Sequence, residues 1–425
     1  MTMTKKMILL LVSLVAVAAV AQTPLATCQQ AAQANYPLIK QRDLIARTTD
    51  YTVENLRKGW LPQVSFTAQA TLQSDVTAWP DEMREMMSQR GVEIAGLKKD
   101  QYRIGLDVNQ NVWDGGMISS QTAVARERGN VQAAQTEVDL YAVRRRVNEM
   151  YFSLLLLDEQ LQLNADHQSL LASSEKKLAS LYAGGVVAES DYNTIRAERL
   201  VVEQQRTSLV AQRNAVALML SELCGITVTQ VCKPPMVEVS GENHRPELQL
   251  VDAQLRLADA QERVLNAALM PRLSVFAQGY YGYPGYNMFE DMMRRKFSLN
   301  GMVGARLTWN IGALYTRRAD KAKLQLQRDQ AENSREVFLL NNRLDIVQQD
   351  ENIARYQQLM KSDDEIIALR ARVRESAESK LAHGIIDVND LVKEINNEQA
   401  ARVQRTVHEI ELLKQMYDKK IAINN

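Results

Sequence analysis

Hydrophobic residues recur in alternating steps of three and four along two long parts of the chain. In the first part these positions are Val147, Met150, Leu154, Leu157 and Leu161, followed by Leu171, Leu178 and Leu181. In the second part the same rhythm runs through Val337, Leu340, Leu344 and Val347, and then through Ile366, Leu369 and Val373. This spacing is typical of a coiled-coil seam and predicts long helices that are wetted on one side.

Helix-breaking residues indicate where these helices end. No proline lies between 81 and 233 or after 284. Glycine occurs only as Gly184-Gly185 between 130 and 224, and only as Gly384 after 313. Each helical part should therefore fold back once, at its glycine. The pattern predicts two helical hairpins, 117–183 with 189–223 and 314–382 with 388–421, and shorter helices near 25–57 and 245–268.

Four segments between the helices alternate between apolar and polar residues. The first, 61–73, has Val64, Phe66, Ala68, Ala70 and Leu72 on one face, and the others are 102–111, 273–283 and 299–310. A period of two predicts strands with one apolar face, each about long enough to cross a bilayer at a tilt. A soluble antiparallel sheet would alternate in the same way. An aromatic girdle near the strand ends favours the membrane interpretation: Trp60, Trp113, Tyr280, Tyr281 and Trp309.

The two halves of the chain match each other in three places and in the same order. Leu61-Pro62 parallels Met270-Pro271, Trp113 to Gly116 parallels Trp309 to Gly312, and Gly185 to Tyr192 parallels Gly384 to Leu391. Such matches at nearly constant offset predict an internal duplication. We therefore divide the chain into a first repeat, 22–224, a linker, 225–243, and a second repeat, 244–425.

Four strands are too few to close a barrel in lipid, where an open sheet edge leaves backbone groups unpaired. The smallest bacterial barrels have eight strands. If the strands lie in a membrane, several chains must therefore share one barrel. Three chains would supply twelve strands around a lumen.

The start of the chain has the three-part pattern of a secretory signal peptide. Lys5 and Lys6 precede an apolar run from Met7 to Val20, and Ala19-Val20-Ala21 forms a small-residue cleavage site. Residues 1–21 are therefore predicted to be removed, the alternative being a retained anchor. No later part of the chain contains 18 consecutive apolar residues, so the sequence predicts no membrane-spanning helix there.

The three cysteines leave alternatives open in an exported protein. Cys28 is either a lipid attachment site, after the loosely matching Leu25-Ala26-Thr27, or a buried helical cysteine. Cys224 and Cys232 either form a disulfide that closes a small loop or remain free.

Composition narrows the class of protein further. The 425 residues carry 51 Lys and Arg against 51 Asp and Glu, a net charge of zero that argues against a nucleic-acid binder. Only 9 Pro and 18 Gly occur, as expected of long elements with few turns. No catalytic, nucleotide-binding or zinc motif is present, so we expect neither an enzyme nor a cofactor or metal site. Methionines 83, 86, 87, 288, 292 and 293 could bind Cu(I) or simply pack two loops together.

These features together resemble the TolC family of outer-membrane efflux channels, over about residues 25–421. The resemblance rests on the strand starts with Pro62 and Pro271, the strand ends Trp113 to Gly116 and Trp309 to Gly312, and the two glycine turns. It implies a mainly α fold with a membrane β-barrel, built as a trimer with 12 strands and a helical tunnel. It also implies the outer membrane of a Gram-negative bacterium, with a large periplasmic portion. A periplasmic coiled-coil scaffold without a pore is the alternative.

The family implies a passive exit duct for efflux or type I secretion. Its partners would be outer-membrane lipid, a periplasmic adaptor and an inner-membrane pump of the RND, ABC or MFS type. The adaptor-docking tips would comprise Gly184, Gly185, Val186, Val187 and Asp191, with Gly384, Ile385, Ile386 and Asp390. The valines and isoleucines of these tips suit either docking or an apolar constriction.

Polar groups near the tips also admit two interpretations. Asp191 and Asp390 are either helix N-caps or members of a carboxylate ring in the pore. His383 adjoins the second turn and is a candidate pH sensor. Where well-known relatives carry a Tyr, an Arg and a second Asp that close the pore, this chain has Leu381, Ile386 and Lys393.

Overall fold

The computed structural model describes residues 22–94, 96–239, 241 and 243–424. The predicted signal peptide, 1–21, lies outside the described residues. The helices are α1 (Leu25–Asn35), α2 (Ile39–Arg57), α3 (Asp81–Gln89), α4 (Met117–Ala183), α5 (Glu189–Cys224), α6 (Pro246–Ala268), α7 (Met288–Arg294), α8 (Ala313–Ala382) and α9 (Val388–Ile423). The strands are β1 (Gln63–Leu72), β2 (Asp100–Trp113), β3 (Arg272–Tyr283) and β4 (Ser298–Thr308). Most of the chain is therefore helical, with four strands, as the sequence predicted.

The four long helices begin and end within two residues of the predicted positions. The predicted helical region 25–57 is interrupted between α1 and α2. Tyr36, the residue before Pro37, has an extended conformation with φ −61° and ψ 129°. Proline disfavours the helical conformation in the residue before it, so the interruption follows from the sequence.

Two short helices, α3 and α7, lie between the paired strands and were not predicted. Helix α3 follows Pro80 and has Asp81 and Glu82 in its first turn, both favourable at a helix N-terminus. Helix α7 is capped by Asn287, whose side-chain oxygen accepts a hydrogen bond from Glu290 N at 3.3 Å. These local signals precede each helix, but a helix of two turns shows too little hydrophobic periodicity to be recognised.

The strands form one antiparallel sheet in the order β1-β2-β3-β4. Its central pair, β2 and β3, comes from different halves of the sequence. The register of β2 against β3 shifts between Asn111 and Trp113, near the end of β2. Strands β1 and β4 each have one neighbour in this sheet, so each leaves one edge without a strand partner in the described chain.

The chain divides into two compact units, and each draws on both halves of the sequence. The first contains the described residues up to Asp43, Ala134–Leu250 and the described residues from Ser334 onward. The second contains Leu44–Ala133 and Val251–Asn333, and therefore includes the sheet.

The first unit has two apolar cores. One joins helix α1 with parts of α4, α5 and α9, and its most buried large side chains include Tyr151, Phe152 and Leu220. The other joins the two hairpins near their turns, through Leu171, Leu178, Ile195, Val202, Ala377, Val388, Leu391, Val392 and Ile395. Among the described residues, no helix has both the length and the apolar character that crossing a membrane requires.

The two predicted seams differ in their burial. Val147 and Leu154 of the first seam are fully buried within the chain. Val337, Leu340, Leu344 and Val347 of the second are 50 to 59% exposed, and Ile366, Leu369 and Val373 are also exposed. Helix α8 therefore presents a long apolar stripe that this chain does not cover, here called the α8 stripe (Val337, Leu340, Leu344, Val347, Ile366, Leu369 and Val373).

Candidate functional site

The sheet carries one continuous apolar face across all four strands. Phe66 of β1 lies opposite Leu106 of β2, and Ile104 of β2 lies opposite Tyr281 of β3. Tyr281 in turn lies opposite Leu299 of β4. These side chains are exposed, Phe66 at 66% and Leu299 at 82%. A patch of this extent on a sheet is an interaction surface, because isolated soluble proteins rarely expose so much contiguous apolar area.

The opposite face is polar and internally hydrogen-bonded. Thr67 Oγ1 donates to Asp107 Oδ2 at 3.0 Å, and Gln69 lies opposite Arg103. Two aromatic residues of β3 also lie on this face. Arg306 lies over the ring of Phe276 at 5.0 Å, and Tyr280 lies opposite Asn300. Tyr280 is thus on the polar face, whereas the neighbouring Tyr281, predicted for the same girdle, is on the apolar face.

The residues predicted at strand ends lie where the chain enters or leaves the sheet. Pro62 and Pro271 immediately precede β1 and β3, where no ladder hydrogen bond from their nitrogen is needed. Trp113 is the last residue of β2, and Trp309 follows the last residue of β4. The indole Nε1 of Trp309 donates to Leu269 O at 2.9 Å, which ties the end of β4 to the end of α6.

The turn after β2 uses a residue that the sequence analysis did not single out. The side chain of Asp114 is buried and accepts hydrogen bonds from Gly116 N at 2.9 Å and from Ile118 N at 2.6 Å. It thereby satisfies free backbone N–H groups at the start of α4. Gly116 has φ +85°, a conformation that favours glycine. Gly312 lies in the corresponding turn before α8.

The two hairpin turns have the same backbone hydrogen bonds. Gly185 N donates to Tyr182 O and Val186 N donates to Leu181 O, each at 2.9 Å. In the second hairpin, Gly384 N donates to Leu381 O at 3.0 Å and Ile385 N donates to Lys380 O at 2.9 Å. Gly185 has φ +71° and Gly384 has φ +69°. A left-handed glycine with this pair of bonds ends a helix with its last carbonyls satisfied.

Each turn exposes one apolar residue and partly buries the next. Val186 is 70% exposed and Ile385 is 69% exposed. Val187 and Ile386, which follow them, pack against the apolar core near the turns. Leu381 packs against the same core. The apolar tip surface of this chain, here the tip pair, is therefore formed by Val186 and Ile385.

Neither Asp191 nor Asp390 is the helix N-cap that one interpretation predicted. Asp191 lies in the first turn of α5, whose cap position is Ala188 and lacks a side-chain cap. Asp390 lies in the first turn of α9, whose cap is Asp387. The side chain of Asp387 accepts from Asp390 N at 2.9 Å. The correct cap has a sequence signal, since a capping Asp lies three residues before an acidic residue.

Ion pairs fasten the arms of each hairpin below the turns. In the first, Arg199 Nε donates to Glu175 Oε2 at 2.6 Å. In the second, Arg374 Nε donates to Glu398 Oε2 at 2.6 Å, and Arg402 contacts the other oxygen at 2.6 Å. Burial alone would raise the pKa of Glu398, but hydrogen bonds from Arg402 and Arg374 outweigh it and lower this pKa.

The two hairpins also contact each other in this unit. Asn396 Nδ2 of α9 donates to Glu198 Oε1 of α5 at 2.9 Å. Gln399 Nε2 of α9 donates to Leu163 O of α4 at 3.1 Å. The tips of the two hairpins are thus held side by side.

His383, the candidate pH sensor, donates through Nδ1 to Ser379 O at 2.7 Å at the end of α8.

The structure also shows where the residues considered for metal binding lie. Within the described part of the chain, no group of three or more His, Cys, Asp or Glu side chains is arranged to hold a metal ion. Met292 packs against Leu97 and Tyr283 in a small apolar core, as the packing interpretation predicted. Met83, Met86, Met288 and Met293 are exposed.

Sequence and structure comparisons agree with these features. Residues 28–225 match the family model described as "Outer membrane efflux protein". This match, over nearly half of the chain, confirms the resemblance recognised from the sequence. No curated protein matches the chain at a significant level of sequence similarity.

Solved outer-membrane channels have a similar fold. The outer-membrane channel OprN is 16% identical, with 94% of this chain and 89% of that chain covered and a TM-score of 0.69. The outer membrane protein VceC of Vibrio cholerae is 12% identical, with 94% of each chain covered and a TM-score of 0.66. MtrE of Neisseria gonorrhoeae, solved in an open state, is 12% identical, with 94% and 89% covered and a TM-score of 0.66. At these identities the likeness establishes the fold.

Proposed function

We propose that three copies of this chain form an outer-membrane channel, the passive exit duct of a tripartite efflux or type I secretion system. The duct would dock with a periplasmic adaptor and receive substrate from an inner-membrane pump of the RND, ABC or MFS type. The proposal is carried by one observation: an open four-stranded sheet whose apolar face is exposed along its whole width.

The sheet geometry supports a shared barrel. In lipid, the free edges of β1 and β4 would each leave a row of backbone groups without partners. Pairing β4 of one copy with β1 of the next removes both edges, and three copies close a ring of twelve strands. The face with Phe66 and Leu299 then meets lipid. The face with Asp107 and Arg103 lines an aqueous lumen.

The α8 stripe supports assembly through the helices as well. Its residues have the spacing of a coiled-coil seam, but the chain leaves them exposed. Burying such a stripe against a neighbouring copy removes apolar area from water. This stabilises the assembly by roughly 25 cal/mol for each Å² buried. We therefore assign the α8 stripe to a helix contact between neighbouring copies in the trimer.

The tip pair supports adaptor docking. Val186 and Ile385 occupy corresponding positions in two turns of the same backbone conformation, and both are exposed. In a trimer the pair would be repeated three times, so an adaptor could meet six similar apolar sites. We favour docking over an apolar constriction, because the following residues, Val187 and Ile386, are already engaged in the core near the turns.

Cell fractionation and gel analysis test this proposal. The chain should be recovered from the outer membrane and migrate after mild detergent extraction as a complex of about three times its 48.0 kDa mass. Boiling should convert this complex to a monomer. Recovery as a soluble periplasmic monomer would contradict the channel and favour a coiled-coil scaffold without a pore.

A further inference from the structure

Two buried thiols meet where helix α1 packs on the end of helix α5. Cys28 is fully buried and Cys224 is 2% exposed. Cys224 Sγ donates to the backbone oxygen of Cys28 at 3.4 Å. Both belong to the core that contains Val147 and Leu220. The side chain of Cys28 is thus turned into the protein, as the helical interpretation of this residue predicted.

The third cysteine is engaged elsewhere. Cys232 lies partly exposed beside Tyr151, whose hydroxyl donates to Cys232 O at 2.7 Å and accepts from Cys232 N at 3.2 Å. Cys232 Sγ lies 3.6 Å from the same hydroxyl. All three cysteines are free thiols in the structure, and the disulfide between Cys224 and Cys232 weighed from their sequence spacing is not formed. The fold brings Cys224 to Cys28 instead, although 195 residues separate the two in sequence.

We propose that Cys28 and Cys224 form a disulfide in the exported protein, which fastens the first helix to the return helix of the first hairpin. The oxidant is a disulfide-carrying oxidoreductase of the oxidising compartment outside the inner membrane. The inference goes beyond channel activity but assumes the export that the proposed function requires.

The reaction is two successive thiol–disulfide exchanges. One cysteine thiolate attacks the disulfide of the oxidoreductase, forms a mixed disulfide and releases one thiolate of the oxidoreductase. The second cysteine thiolate then attacks the mixed disulfide, forms the Cys28–Cys224 bond and releases the other thiolate. Two electrons pass from the two cysteines to the oxidoreductase. The two protons that the cysteines lose end on the two thiols of the reduced oxidoreductase.

The bond must form before the helices close. In the folded chain Cys28 is fully buried and Cys224 is 2% exposed, so an oxidoreductase cannot reach a pair that is still reduced at that stage. The packing already holds the neighbouring segment, because Thr23 N donates to Gln230 O at 2.9 Å and Thr23 O lies 2.9 Å from the hydroxyl of Tyr151. The disulfide would make this attachment covalent and restrict the unfolded chain.

Thiol trapping in cells tests the proposal. Cells that export the full chain are quenched in acid, and free thiols are blocked with N-ethylmaleimide in denaturant. Non-reducing gels and peptide mass mapping follow. Because no Lys or Arg lies between Cys224 and Cys232, trypsin leaves these two on one peptide. The mapping therefore uses the variants Cys232→Ser and Cys224→Ser beside the natural chain.

The expected result is a chain that migrates faster without reductant, in the natural protein and in Cys232→Ser, with the peptide of Cys28 linked to that of Cys224. The Cys224→Ser variant should lack both the shift and the link. Alkylated Cys28 and Cys224 in a trimer recovered from the outer membrane would overturn the disulfide while leaving the proposed channel intact. A link between Cys28 and Cys232 in Cys224→Ser that equals the natural yield would also overturn it.

A second measurement decides the case where the chain is not exported, which would itself contradict the proposed function. The purified, reduced chain is treated with the thiol oxidant diamide in mild urea, which loosens helix packing. Diamide takes up the two electrons and two protons of the thiol pair as it is reduced to its hydrazine. Selective joining of Cys28 to Cys224, with Cys232 left free, would support the pairing, and random pairing would refute it.

Discussion

Arg374 and Glu398 form the charge-reversed counterpart of Glu175 and Arg199. Both pairs join the two arms of a hairpin with an Nε to Oε2 distance of 2.6 Å. Each residue of one pair lies 199 positions from its counterpart, the offset that also separates Gly185 from Gly384. Exchange of arms between the hairpins would set Glu175 against Glu398 and Arg199 against Arg374. The reversal therefore favours the observed pairing of arms over the exchanged one.

The buried pair of the second hairpin should be important for stability. Replacing Arg374 by Ala leaves the 5% exposed Glu398 with Arg402 alone, and we expect a loss of about 2 kcal/mol in the free energy of unfolding. The double variant Arg374→Ala with Glu398→Ala should lose less than the sum of the single variants. Urea denaturation followed by circular dichroism measures these values. The exposed pair of Lys58 and Glu54 is the control, with an expected effect below about 1 kcal/mol. A double variant whose loss equals the sum would argue against a direct pair.

The two faces of the sheet should differ in their tolerance of charge. Phe66→Asp places a carboxylate on the face assigned to lipid, at a cost of about 2 kcal/mol per copy, and should reduce the trimer recovered from the outer membrane. Gln69→Asp lies opposite Arg103 on the polar face and should assemble normally. Semi-native gels of outer-membrane extracts provide the measurement. Equal loss of trimer in both variants would show that the facing assignment is wrong.

The tip pair should govern adaptor binding without affecting assembly. In the double variant Val186→Asp with Ile385→Asp, we expect binding of the adaptor from the same strain to weaken at least about tenfold, because charge replaces buried apolar contacts. The trimer should remain. Surface plasmon resonance with the purified adaptor measures this affinity.

Two further variants give the tip experiment its controls. Val186→Leu with Ile385→Leu keeps the surface apolar and should keep most of the binding. Val187→Asp places charge in the core near the turns and should lower the thermal stability of the hairpin as well. If the aspartate tip variant binds the adaptor with natural affinity, the docking assignment is refuted.

The start of α9 should depend on Asp387 and only weakly on Asp390. Asp387→Ala removes the cap and should cost about 1 kcal/mol, whereas Asp390→Ala should cost about 0.5 kcal/mol through the helix dipole alone. In the first hairpin, Ala188→Asp adds a cap where none is present and should stabilise α5. Hydrogen exchange of the first-turn amides reports each effect. A larger loss from Asp390→Ala than from Asp387→Ala would restore Asp390 as the capping residue.

Acid should weaken the contact between α6 and α8. Hydrogen bonds from Lys321 and Arg328 lower the pKa of Glu262 from 4.5 to about 2. A depressed pKa means that this contribution to stability is full above pH 4.5 and is lost as the pH falls towards 2. The difference in denaturation midpoint between the natural chain and Glu262→Gln should therefore be constant from pH 7 to 5 and shrink below that. A difference that persists unchanged at pH 2 would contradict the ion-pair origin.

Local pattern alone determined the order and extent of the long elements. A seam with steps of three and four, and an alternation with a period of two, each reflect which face of one element meets apolar surroundings. A glycine within a run without other breakers indicates a reversal of the helix, since it can adopt the left-handed conformation that follows a helix end. The hairpins, the four strands and their two faces were therefore predictable from the sequence, and so was the resemblance to efflux channels.

Tertiary structure alone decided which of these surfaces the chain covers and which distant residues meet. The seams with Val147 and with Val337 have the same spacing, but only the first is buried, because α1, α5 and α9 pack on it. The thiol of Cys224 contacts Cys28 and not the nearby Cys232, because α1 packs on the end of α5. The reversed order of charges in the Glu175 and Arg374 pairs affects which arms pair only when all four arms lie together. Spacing along one helix specifies a face, but the neighbour of that face depends on how separate elements pack.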